Sequence, residues 1–186
     1  YNHTKKLTEK LDHIVQRRGS SSYYFIPRTG QEPFNQKAKT AVLLVKGFNG
    51  LGLYTLKNVL QNFSGVFKNF IFLEIGSVDA GNFRNSEEIQ QLKASTTMEV
   101  ERYAEIMRKN GYNAESFVAI GIDVVDEVAK IAPKIMEKYP RSIFFGGQIV
   151  LPKDSIVTRL LHNYTVFAVQ RRLYSRGITV VLLPVV

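Results

Sequence analysis

The chain has 186 residues, a formal net charge of +9 and an ordinary share of charged and aromatic residues, so it is a folded domain with a sizeable core and room for an appendage. It contains no cysteine, which excludes disulfides, thiolate nucleophiles and cysteine metal sites, and its three histidines, His3, His13 and His162, are too scattered for metal-ligand spacing. The positive balance suits nucleic acid, an anionic membrane surface or an anionic ligand.

No apolar run approaches the roughly 20 residues that cross a bilayer, and the polar, basic start is unlike a signal peptide. The chain opens at Tyr1, which reads as a piece processed or excised from a longer protein; a trimmed ordinary soluble chain is the alternative. Residues 1–18, YNHTKKLTEKLDHIVQRR, fit a short amphipathic helix with Leu7, Leu11, Ile14 and Val15 on one side. Lys5, Lys6, Lys10, Arg17 and Arg18 make it basic. It reads either as a solvated helix docked on the domain or as a juxtamembrane segment against anionic lipid on the cytoplasmic side. Residues 19–39 carry repeated turn signals at Gly19, Pro27, Gly30 and Pro33, so residues 1–39 form a helix and linker ahead of a domain at 40–186.

From residue 40 the pattern is regular. Strands are predicted at 41–46, 69–76, 114–121, 142–149 and 178–184, and helices at 51–63, 86–110, 124–138 and 155–176. Ser64-Gly65, Asn110-Gly111, Pro140 and Gly177 close the helices, and Asp123 with Asp126 reads as a cap followed by a first-turn carboxylate. Pro133 inside the third helix predicts a kink. Runs such as AVLLV and FIFL are apolar at consecutive positions, which suits strands covered on both faces. The alternation implies an α/β fold, a five-stranded parallel sheet with helices on both faces.

Ligands of such sheets sit beyond the carboxyl ends of the strands, where the strand order reverses. The loop after the first strand holds Lys46, Gly47, Asn49, Gly50 and Gly52 and leads into a helix, whose free N–H groups favour an anion. The glycines either cradle that anion or only shape a tight turn; the spacing matches neither common phosphate-loop motif. Gly146-Gly147 in the fourth strand calls for a bulge or for room beside a ligand. Asp79, Asn82 and Arg84 fall at the tip of the second strand, and Asp123 at the tip of the third. Asp79 with Asp123 is the candidate carboxylate pair, against the plainer reading of both as turn and cap residues. Ser77 has no histidine near it in the pattern, and His162 reads as a packed or solvent-facing residue of the last helix. Arg171, Arg172, Arg176 and Tyr174 form a basic patch that a helix C-terminus also favours. No nucleic-acid-binding motif is present, so no nucleic-acid partner is expected.

The five-strand alternation ending in ITVVLLPVV resembles the universal stress protein fold over residues 40–186, with strand order 3-2-1-4-5. Nucleotide-binding members carry an aspartate at the end of the first strand and G-x2-G-x9-G-[ST] after the fourth. Here Lys46 and QIVLPKDSIVTRLLHN stand in those places, so that ATP site is not carried over. The strings VKGFNGLGL, FKNFIFLEIGSVDAGNF, FFGGQIVL and LLHNYTVFAVQRRL resemble the cytoplasmic C-terminal domain of bacterial amino-acid permease-like transporters of the amino acid–polyamine–organocation superfamily. That resemblance implies a regulatory or dimerisation domain without catalysis, at the cytoplasmic face of the inner membrane. Its first partner would be the transmembrane portion of the same polypeptide, and the solute site would lie in that portion. The apolar last strand, at a sheet edge, adds the expectation of a homodimer through residues 178–186. A stand-alone nucleotide-binding stress-type protein is the alternative, with a nucleotide or other small anion as ligand. A small hydrolase or transferase using Asp79 or Asp123 is the third.

Overall fold

The computed structural model describes residues 34–81, 86–150 and 156–185, with the backbone alone at 156–163. The basic N-terminal helix, most of the linker, Asn82, Arg84 and the His162 side chain lie outside the described residues. Strands and helices alternate in the order β1 (Thr40–Leu44), α1 (Gly50–Asn62), β2 (Asn69–Ser77), α2 (Ser86–Lys109), β3 (Asn113–Gly121), α3 (Val124–Lys138), β4 (Ser142–Ile149), α4 (Ile156–Tyr174) and β5 (Val180–Val185). The strands form one parallel sheet in the order β3-β2-β1-β4-β5. The order reverses between β1 and β4, which pair from Thr40↔Ser142 to Leu44↔Gly146.

Successive side chains of a strand point to opposite faces, so consecutive apolar residues feed two cores. On one face Ala41, Leu43, Phe70, Phe72 and Phe145 pack with Leu56 and Val59 of α1 and Val100, Tyr103 and Met107 of α2. On the other, Val42, Ile71, Leu73 and Phe144 pack with Val128, Ala132 and Ile135 of α3 and Val169 and Leu173 of α4.

Two predicted strand ends move by two residues, and four others by one. β1 stops at Leu44 and not at Lys46, because Gly47 turns the chain with φ +67° and the Asn49 side-chain amide donates to Lys46 O at 2.6 Å. β5 starts at Val180 and not at Ile178. Gly177 takes φ +72°, and the Ile178 N–H reaches back to Leu173 O at 3.1 Å, so Ile178 closes α4.

The expected disturbance at Pro133 has a local remedy. α3 runs on through Pro133, whose missing N–H would have served Ala129 O. The Arg176 guanidinium donates to that carbonyl instead. Gly146 pairs with Leu44 of β1 and Leu182 of β5, and Gly147 follows in unbroken register with Leu183 of β5, so no bulge forms against β5. A Cβ at Gly146 would lie 2.5 Å from the Val166 side chain of α4, and one at Gly147 would lie 2.3 Å from Thr55 Oγ1 of α1. Each glycine therefore admits a helix, one on each face of the sheet.

Candidate functional site

Of the residues predicted to bind a ligand, all but Asp79 lie at the switch point between β1 and β4. Lys46, Gly47, Asn49, Gly50 and Gly52 run from the tip of β1 into the first turn of α1. The same turn lies on β4, with Leu51 Cδ1 3.2 Å from the Cβ position of Gly147. The room that Gly147 leaves is thus filled by Thr55 and Leu51 of the protein itself.

Three backbone donors of this loop are also engaged from within. The Gly47 N–H donates to Glu74 Oε2 at 2.9 Å. The Asn49 N–H donates to the Tyr103 hydroxyl at 3.1 Å, and that hydroxyl donates to Gly47 O at 3.0 Å. The Gly52 N–H donates to Asn49 Oδ1 at 3.0 Å, which makes Asn49 the N-cap of α1. A Cβ at Gly52 would lie 2.0 Å from the Tyr103 hydroxyl, so this position must be glycine for the tyrosine to reach the loop. Tyr103 is held in turn by stacking on Phe72 at 5.2 Å and by Phe48 at 4.7 Å. Arg102 covers the outer face of Phe48, 3.8 Å from its centroid.

Glu74 is the functional-looking residue that the motif reading passed over. It is buried in β2, on the same face as Phe70 and Phe72. Burial pushes its carboxyl above the ordinary value; the Gly47 N–H opposes this, Glu99 adds to the rise and Lys46 counters it. Glu99 stands over the same turn, with Oε2 2.9 Å from the Cβ position of Gly47. The signal was a lone carboxylate in the apolar run FIFLEIG. The Gly47 N–H, one of the donors available to an anion, is therefore held by the protein's own carboxylate, with a second one beside it.

The other predicted residues separate. Asp79 is exposed in the loop beyond β2, where Val78 N–H donates to Gly121 O at the tip of β3. Asp123 caps α3, its Oδ1 accepting from the Asp126 N–H at 2.9 Å. Of the basic patch, Arg172 pairs with Asp126 at 3.1 Å, Arg176 serves Ala129 O, and the Tyr174 hydroxyl donates to Val180 O at 2.7 Å. Among the described residues, no three histidine, aspartate or glutamate side chains gather as a metal centre.

Two cavities open at the opposite end of the sheet. One, of about 510 Å³, is lined by residues that include Phe34, Asn69, Arg108, Tyr112, Glu115 and Tyr139. Asn69 is buried; its amide nitrogen donates to Asn35 O and Thr40 Oγ1, while its Oδ1 has no partner. Lys138 closes on Glu115 at 2.7 Å, and burial together with Glu115 pushes the Tyr139 phenol well above its usual range. The second cavity, of about 440 Å³, is lined by loop residues ahead of β1, β2 and β4 and by Asn113 at the start of β3. No protein-family description matches this chain, and no curated protein matches it.

Proposed function

We propose that this chain is a regulatory or assembly domain of an amino-acid permease-like transporter, at the cytoplasmic face of the inner membrane and without catalysis of its own. The observation that carries the reading is that three N–H groups of the switch-point loop are served by the protein itself. Its N–H groups at Gly47, Asn49 and Gly52 serve Glu74, Tyr103 and Asn49, which suits a rigid scaffold better than a nucleotide cradle. The distributed resemblance of VKGFNGLGL, FKNFIFLEIGSVDAGNF, FFGGQIVL and LLHNYTVFAVQRRL supplies the transporter. No described helix is long and apolar enough to cross a membrane, so on this reading the span lies elsewhere in the polypeptide. Such a domain acts on transport only by favouring one conformation of the transporter over another.

The test is fractionation of the native protein from its own cells. A membrane species that resists alkaline extraction is expected; recovery only as a soluble chain overturns the reading. Calorimetry with ATP, AMP and cyclic dinucleotides addresses the stand-alone stress-protein alternative. No saturable heat is expected, and binding abolished by Gly147→Val would transfer the assignment to a nucleotide-binding protein.

A further inference from the structure

The second cavity raises a question of charge. Lys37, Lys39, Lys68 and Arg141 line it, with Val66 among them, and its lining contains no carboxylate. Register explains the gathering. Thr40 pairs with Asn69 on one side and Ser142 on the other, so the preceding residues Lys39, Lys68 and Arg141 stand in one row across three neighbouring strands. Adjacent strands lie about 4.8 Å apart, so the row sets like charges side by side.

Helix dipoles do not account for these four. The cations in the last turns of α2, α3 and α4 have that explanation: Arg108, Lys109, Lys138, Arg171 and Arg172. Lys37, Lys39, Lys68 and Arg141 lie in loops, outside every helix. They add to the cations that end α2 and α3, whereas Arg172 of α4 reaches Asp126 at the start of α3. The opposite end carries Glu87, Glu88, Asp123, Asp126 and Glu127 at helix starts, with Glu74 and Glu99 beside the β1 loop. Val66 is 38% exposed and Phe34 is 54% exposed at the basic end, which adds apolar surface to the charge.

We propose that Lys37, Lys39, Lys68 and Arg141 form a docking surface for the phosphate headgroups of an anionic bilayer. The bilayer as the source of phosphate rests on the transporter reading; the convergence of the cations does not. Polynucleotides fit less well, because they call for a track of successive phosphates with stacking platforms, and no aromatic side chain lines this cavity. Docked this way, the domain meets the membrane with the starts of its strands and turns its acidic end away. The 33 residues before Phe34 carry Lys5, Lys6, Lys10, Arg17 and Arg18 in sequence.

The test is co-sedimentation of the full 186-residue chain with vesicles of phosphatidylcholine plus phosphatidylglycerol, against phosphatidylcholine alone. Binding only to the anionic vesicles, weakening with salt, is expected. Each cation near a charged surface contributes on the order of five-fold, so Lys37→Gln, Lys39→Gln, Lys68→Gln and Arg141→Gln together should lower binding by at least about a hundred-fold. Lys57→Gln, Lys93→Gln, Lys130→Gln and Lys134→Gln remove equal charge elsewhere and should cost far less. Lys39→Gln alone, in wild type and with the five N-terminal cations changed to Gln, keeps the test decisive if the fourfold variant does not fold. Equal losses in the two fourfold variants, no lipid binding, or indifference to lipid charge overturns the proposal. So does full competition by inorganic phosphate or by single-stranded RNA, which would reassign the surface. Vesicle binding and native fractionation fail separately, so docking and the transporter reading are judged apart.

Discussion

Glu74 shows how one side chain decides what a loop can do. Because burial and Glu99 raise its carboxyl, the folded protein holds that proton to higher pH than the unfolded chain does. Its contribution to stability is therefore fully present below the ordinary carboxyl range and is lost as pH rises through the raised value. Glu74→Gln keeps an acceptor for Gly47 and removes the charge. Urea unfolding should find it more stable than wild type at neutral pH, with the gap closing as the pH falls into the ordinary carboxyl range. Glu74→Leu leaves the Gly47 N–H unpaired and should cost about 2 kcal/mol. A Glu74→Gln gap that does not vary with pH would refute this account. The residues of this loop were legible in sequence; their partners were not. Asn49 was visible as a polar loop residue, but its capping of α1 depends on a turn whose shape is set by Tyr103, 54 positions away.

At the scale of elements, a missing donor couples α3 and α4 in addition to their shared core and the Arg172–Asp126 pair. Pro133 leaves Ala129 O without its helical partner, and Arg176, just past α4, supplies one. Arg176→Ala should destabilise the domain by about 2 kcal/mol, the cost of an unserved buried carbonyl. In a Pro133→Ala background a backbone N–H returns, and the same substitution should cost much less. A double-mutant cycle with additive losses would show that Arg176 acts by charge alone. Helix positions were readable from apolar periodicity and from Gly65, Gly111, Pro140 and Gly177. Strand ends were not: β1 and β5 both begin or stop where a glycine with positive φ redirects the chain, and hydropathy runs on past that point. The purpose of Arg176 was hidden for a related reason, since a helix-terminal arginine looks the same whether it answers a dipole or a proline.

The whole molecule was the most legible level, because strands with runs apolar at consecutive positions admit few topologies and the two cores follow from their pleat. What sequence does not display is how an edge is guarded. β5 borders the sheet, and the bonds from Phe144 to Thr179 O and from Val150 to Val185 O turn the odd-numbered residues toward β4. The backbone of Val180, Leu182 and Pro184 then faces outward. Tyr174 and Gln170 cover Val180 O, Asn58 covers Pro184 O, and proline offers no N–H. A homodimer that extends the sheet through β5 must displace these groups. Tyr174→Phe with Gln170→Ala should therefore raise self-association in sedimentation velocity, whereas an unchanged distribution would rule out ladder pairing at this edge. The seam between β1 and β4 has a kinetic consequence of its own. It joins residues about a hundred positions apart, a separation that slows folding. During synthesis β1 therefore waits with one flank bare until β4 has left the ribosome, and a nascent chain stalled before Ser142 would offer that flank to chaperones or to aggregation.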